Sequence, residues 1–212
     1  MEKYRLKEKL IQLKKERLHM PKKRYVTGGS DGWLRVKRDP TGEIISIPEH
    51  LQIDLTTSSG GRDYFTITKG VHRNKKFSVI SGNISSQRPE YKSSANLTFS
   101  LSRKTLNYRF GSVKAFTWPE NPIEIGVHPI QIPDHPHDGG IRYSSITPYA
   151  KTWFYLGRGE AIAFQDDRYL HPGRESAGCI TVEPAAWNQL YRYLILCRTG
   201  DGKTVGNVAV VR

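Results

Sequence analysis

The 212-residue chain reads as mainly β, a sandwich or barrel-like sheet with a basic helix ahead of it and one short helix near the C-terminus. Three observations predict this. Between Tyr25 and Phe116, short runs of alternating apolar and polar residues recur between turn clusters, the period-two pattern of half-buried strands. No helical pattern separates those runs, so the strands have no crossover helices and pair through turns. Helical spacing is confined to residues 3–18 and to a stretch from Pro184 to about Cys197.

Taken in order, residues 3–18 place Leu6, Leu10, Leu13 and Leu18 along one face amid Lys and Glu. Pro21 and the cluster Lys22-Lys23-Arg24 are expected to end this helix, giving a basic arm over 1–24. Strands are predicted at Trp33–Lys37, Glu43–Ile47, Leu51–Leu55, Tyr64–Thr68, Phe77–Ile80 and Leu97–Leu101. Turns fall at Gly28-Gly29, Pro40-Thr41-Gly42 and Ser58–Gly61. The last is like a phosphate-cradling loop only in its glycines, since the Walker lysine and the following helix are missing. Tyr108–Thr117 continues the β pattern. The region 25–116 either stands alone or supplies strands to a sheet of the C-terminal part, 117–212. Pro184 suits the first position of a helix, and Thr199–Gly202 turns the chain into a final strand, Val205–Val211.

The charge balance is strongly basic: 33 Lys and Arg against 20 Asp and Glu, a net of +13. Residues 1–28 carry +7 of it, leaving +6 for the remainder. A basic surface attracts polyanions, so an anionic polymer is an expected contact of the N-terminus. Zinc-finger spacing, RNP-like aromatic motifs and a helix-turn-helix pattern are all missing, which argues against specific nucleic-acid readout. No apolar run is long enough to cross a bilayer, and the N-terminus lacks the apolar core of a secretory signal. Two cysteines, Cys179 and Cys197, do not make a disulfide framework. Cys197 reads as buried packing.

The segment that bears on chemistry is His171-Pro-Gly-Arg-Glu-Ser-Ala-Gly-Cys-Ile-Thr-Val182. A free thiol, with a pKa of about 8.5, offers little of the nucleophilic thiolate at neutral pH. An imidazole eight positions away can take its proton, and the small Ala177 and Gly178 leave the sulfur open to a carbonyl. The alternative is a cysteine packed in the strand CITV, with an unrelated histidine, since Cys is often a small core residue. A second cluster, His128-Pro-Ile-Gln-Ile-Pro-Asp134-His135-Pro-His137-Asp138, has the residue types of a zinc site, though its prolines favour an extended loop on the rim of a substrate groove.

From about Trp118 to Arg212 the chain resembles the L,D-transpeptidase, or YkuD-like, catalytic domain. The matching motifs are His171-Pro172-Gly173, then Ser176-Ala177-Gly178-Cys179-Ile180, and upstream the strand Pro122–Pro133 with His128 where an aromatic is usual. Two departures stand out: the commoner members carry a second histidine where Ala177 stands, and their His-to-Cys gap is longer. The compact spacing is similar to shorter branches, including some antibacterial effectors.

The resemblance implies an L,D-transpeptidase-like β-sandwich whose short C-terminal helix follows the cysteine. It also implies a cysteine acyltransferase of peptidoglycan stem peptides that needs no metal or cofactor. Cys179 would be the nucleophile and His171 the base. The Cys179/His171 pair would hold the thiolate–imidazolium form, with Ser176 or a carbonyl near Pro172-Gly173 orienting the ring. The N–H groups of Gly178 and Cys179 would receive the oxyanion. Gly173, Arg174, Arg142, Tyr143 and His137 would line the substrate groove, with Trp153 and Tyr155 as further candidates. The expected site of action is the periplasm or cell envelope. The competing expectation is a non-enzymatic basic β-sandwich that binds an anionic polymer.

Overall fold

A computed structural model describes Arg5, residues 21–162 and residues 165–212. The predicted helix over 3–18 therefore lies outside the described residues, Arg5 excepted. The chain is mainly β, in two sheets, with a short C-terminal helix. No described helix is long and apolar enough to cross a membrane.

The first sheet is built from β1 (Lys22–Val26), β2 (Trp33–Arg38), β3 (Ile44–Pro48), β4 (Gln52–Ser59), β5 (Arg62–Ile67), β6 (Lys76–Ile80) and β7 (Ile84–Ser85). Their order is β3-β2-β6-β5-β4-β1-β7. Lys22–Arg24, expected to close the basic arm, are instead strand, pairing with Leu55, Asp54 and Ile53 of β4. Local charge hid a pairing made by distant residues. In β5 the period of two is plain: Asp63, Phe65 and Ile67 point inward and their neighbours outward. The buried Asp63 carboxylate accepts bonds from Ser58 Oγ at 2.6 Å and Ser81 Oγ at 3.1 Å. Gly60 and Gly61, at φ +57° and +71°, supply the two left-handed residues of the β4–β5 hairpin turn.

The second sheet holds β8 (Ala95–Ser100), β9 (Thr105–Tyr108), β10 (Gly111–Phe116), β11 (Gly126–Gln131), β12 (Phe154–Ile162), β13 (Gln165–Pro172), β14 (Ile180–Val182) and β15 (Thr204–Val211). The order is β11-β15-β8-β9-β10-β14-β13-β12. The end strands β11 and β12 return alongside each other, so the sheet curls towards closure. Residues 95–116 thus share a sheet with the strands that flank Cys179, while residues 22–85 form the other.

Helix α1 (Pro184–Leu194) seals this sheet. Trp187, Leu190, Tyr191 and Leu194 are fully buried at i, i+3, i+4, i+7 spacing. It ends three residues before Cys197, earlier than the periodicity suggested, because Cys197 forms an isolated bridge with Lys92. Cys197 is fully buried, as expected of packing. The sheets meet through polar ties as well as core: Tyr191 donates to Glu49 at 2.9 Å, and Lys151 pairs with Asp31 at 2.9 Å. His72 is half-buried with its ring edge-on to Phe77.

Candidate active site

The site is set by one register. β13 and β14 run parallel, with Leu170 opposite Ile180 and His171 opposite Thr181. Seven residues, 173–179, carry the chain from the end of β13 back to the start of β14. Parallel neighbours ordinarily need a longer crossover. Here β14 is three residues long, so a short loop covers the return. Leu170 and Ile180 are fully buried in the core, and alternation then turns Tyr169, His171, Cys179 and Thr181 to the opposite face. Cys179 sits at the loop's end across from Tyr169, whose backbone N–H donates to Sγ at 3.4 Å.

Gly178 makes the last step possible. Its φ of +101° lies in the region that favours glycine, and an added Cβ would fall 2.8 Å from Asn121 O and 2.9 Å from Arg168 Cζ. Ser176 Oγ donates to the Cys179 carbonyl at 2.9 Å, closing the turn. Ser176 therefore holds the loop and does not orient the imidazole. That task falls to the Pro172 carbonyl, 3.0 Å from His171 Nδ1. The carbonyl can only accept, so Nδ1 carries the proton and Nε2 the lone pair. Thr181 Oγ1 stands 3.2 Å from Nε2 and 3.2 Å from the Glu175 carbonyl, two acceptors for one hydroxyl proton. Gly173 packs beneath the ring: a Cβ there would lie 3.5 Å from Nδ1 and Cε1.

His171 and Cys179 line one cavity of about 540 Å³, together with Trp153, Asp166, Asp167, Tyr169, Glu175, Ser176 and Ala177. Trp153 stacks on His171 at 4.3 Å and on His137 at 4.6 Å, the second pair within 4° of parallel. Its indole N–H donates to Ala150 O at 3.1 Å, which fixes the wall. The N–H groups of Gly178 and Cys179 hold no partner among the described backbone bonds.

Electrostatically the resting pair is neutral. Burial pulls the His171 imidazole down to about 4, only partly opposed by its bond to the Pro172 carbonyl. Burial also pushes the Cys179 thiol up, against the Tyr169 N–H bond and the charge of Arg168, which both lower it. The expected thiolate–imidazolium pair is therefore not the resting form: Cys179 is 8% exposed and His171 6%, and neither charge is well solvated.

The other groove candidates are dispersed. Tyr143 is buried, and its hydroxyl accepts the Arg174 N–H at 3.1 Å. Gly173 and Arg174 line a neighbouring groove with Phe116, Ile146 and Pro184. Arg142 is exposed and reaches Glu175 at 3.4 Å, beside the cavity. His137 borders the cavity through Trp153 and edges onto Tyr169 at 4.7 Å. Tyr155 meets the outer edge of Tyr169. His128 lies on β11 and contacts the Glu124 carbonyl at 2.8 Å. In Asp134 burial raises the carboxyl, but hydrogen bonds from His137 and the His135 N–H outweigh it and hold the group below its ordinary value.

Sequence reasoning missed Arg168 and Thr181. Arg168 is 2% exposed, and its Nη2 donates to Glu160 O at 2.6 Å. Its Nε and Nη1 find no partner among the described residues. The readable signal was parity: Arg168 occupies the core-facing set of β13 with Leu170, where a charge calls for a reason. Thr181 is two positions past the cysteine and so on its face.

No protein-family model matches the chain, and no curated protein does. Among solved structures, the fold is similar to L,D-transpeptidase 1 of Mycobacterium tuberculosis, at 13% identity and TM-score 0.33, covering 74% of this chain and 98% of that one. An L,D-transpeptidase from Mycobacterium smegmatis is similar at 12% identity and TM-score 0.31, over 93% of this chain and 85% of that one.

Proposed function

We propose that the chain is a cysteine acyltransferase of the L,D-transpeptidase type, acting on peptidoglycan stem peptides in the cell envelope. The observation that supports it most is the placement of Cys179 and His171 on one face of two paired strands, at the wall of a single cavity. Cys179 Sγ would attack the carbonyl of the third stem residue, with the thiol proton passing to His171 Nε2. A neutral imidazole is competent for this, and its lone pair is on Nε2. Thr181 fits both protonation states: it donates to Nε2 at rest, and once Nε2 is protonated it accepts there and donates to the Glu175 carbonyl.

The tetrahedral oxygen would lie against the N–H groups of Gly178 and Cys179. As it collapses, the C–N bond to the terminal D-Ala breaks and the amine takes the proton from His171, leaving a thioester. An amine of a neighbouring stem, a free D-amino acid or water then gives a proton to His171 Nε2 and attacks the thioester; the C–S bond breaks and Cys179 regains that proton, giving a cross-link, an exchanged stem or a trimmed one. The carboxylates of Asp166, Asp167 and Glu175 at the mouth favour an acceptor that arrives as a cation, as a stem amine does. Arg142 would meet a stem carboxylate there.

The test is turnover of a tetrapeptide muropeptide followed by mass spectrometry. Wild type should release D-Ala and the Cys179→Ala variant should not, with thermal unfolding of the two nearly alike. Equal turnover by both would refute the proposal. An inert, unreactive Cys179 with binding of anionic polymer that weakens steeply with salt would favour the basic binding module instead.

A further inference from the structure

Beyond the cavity, the loop that follows β11 gathers two imidazoles and a carboxylate at one point. His135 Nδ1 lies 3.2 Å from Asp134 Oδ2, and His137 Nε2 lies 3.3 Å from Asp134 Oδ1. Donor atoms of the three residues all fall within 4.8 Å of one another. Two ligands held about 2.0–2.1 Å from a tetrahedral zinc ion are themselves about 3.3 Å apart. The two carboxylate–imidazole contacts are close to that length but reach different oxygens of Asp134, and the His135 ring rests on that of His137 with centroids 4.3 Å apart. A shared ion therefore asks the exposed His135 ring to turn and the carboxylate to offer one oxygen.

The loop is braced for such a role. Pro133 and Pro136 flank Asp134-His135 and fix the backbone on either side. The His137 N–H donates to Lys151 O at 2.8 Å, and the His137 carbonyl accepts from Gly140 N–H at 3.1 Å. Gly140 lets this turn lie against Ala150, where a Cβ would collide with the carbonyl. The His137 ring is clamped flat on Trp153. His137 is therefore held firmly, Asp134 is tied to it through the carboxylate, and His135 is the exposed member, resting on the His137 ring and against Asp134.

We propose that Asp134, His135 and His137 form a binding site for a divalent transition-metal ion of the zinc class, with its remaining position open to solvent. Two imidazoles and one carboxylate suit zinc and its neighbours and disfavour magnesium, which asks for oxygen ligands. The site does not depend on Cys179 being a nucleophile. A thiol beside a histidine can also take up zinc, and the experiment separates the two.

The untagged chain, stripped with chelator and dialysed, is titrated with zinc chloride by calorimetry. Wild type should bind one ion at about 10 µM or tighter, with millimolar magnesium failing to compete. Asp134→Asn and His135→Ala should each weaken binding at least about tenfold, while Cys179→Ala binds as wild type does. His135 is exposed, so its removal leaves the fold intact, which unfolding of the zinc-free variants checks. Undiminished binding by His135→Ala, loss of binding in Cys179→Ala, or no wild-type binding below about 100 µM would overturn the proposal.

Discussion

Acidification should destabilise this protein through His171, and the size of the effect follows from its burial. The imidazole is 6% exposed and drops from an ordinary 6.5 to about 4 in the folded chain. The unfolded chain therefore takes up the proton first as pH falls. The resulting stability is complete above pH 6.5, where both states are neutral, and is lost as pH falls from 6.5 to about 4. At about 1.4 kcal/mol per tenfold, the interval is worth about 3 kcal/mol, a large share of a typical domain's stability. The assay is urea unfolding at pH 7.5, 5.5 and 4.5 for wild type and for His171→Gln, which removes the titrating group. Wild type should lose about 2–3 kcal/mol more than the variant across that range. Parallel pH dependences, or an imidazole that titrates near 6.5 by NMR, would refute the reasoning.

Three further substitutions probe the loop and its supports. Gly178→Ala forces a Cβ at positive φ against Asn121 O and Arg168, so it should cost about 1–3 kcal/mol and displace the thiol, abolishing turnover; wild-type kinetics would mean that the turn is not needed. Thr181→Val keeps the shape but takes the hydroxyl from Nε2, so kcat should fall at least about tenfold with KM nearly unchanged, whereas a purely structural role would move only the unfolding temperature. Arg168→Met removes the charge that lowers the Cys179 thiol, so alkylation of Cys179 at pH 7.5 should slow relative to wild type; an unchanged rate would show that this charge does not reach the sulfur.

Local patterning made most of the architecture legible. The period of two over Arg62–Ile67 and the i, i+3, i+4, i+7 set Trp187, Leu190, Tyr191, Leu194 needed nothing beyond the residues themselves. Lys22–Arg24 misled because their strand character comes from β4, some thirty residues away, while their own charges suggested an arm. At the site, His171, Cys179 and Gly178 were readable from type and spacing. The neutral resting state was not, since it depends on Trp153 and on the sheet that buries the imidazole. Ser176 carried the right chemistry for orienting His171, yet its hydroxyl is spent on the Cys179 carbonyl. Thr181 reaches the imidazole through a register that sequence does not display.

The proposed chemistry requires Cys179 to be an acyl-accepting thiol. Intact mass after brief exposure to a carbapenem, for wild type and Cys179→Ala, reads this directly. One covalent adduct on wild type, lost in the variant, is the predicted result. Absence of an adduct, together with no release of D-Ala from a tetrapeptide muropeptide by wild type, would contradict it and make the cysteine a packing residue.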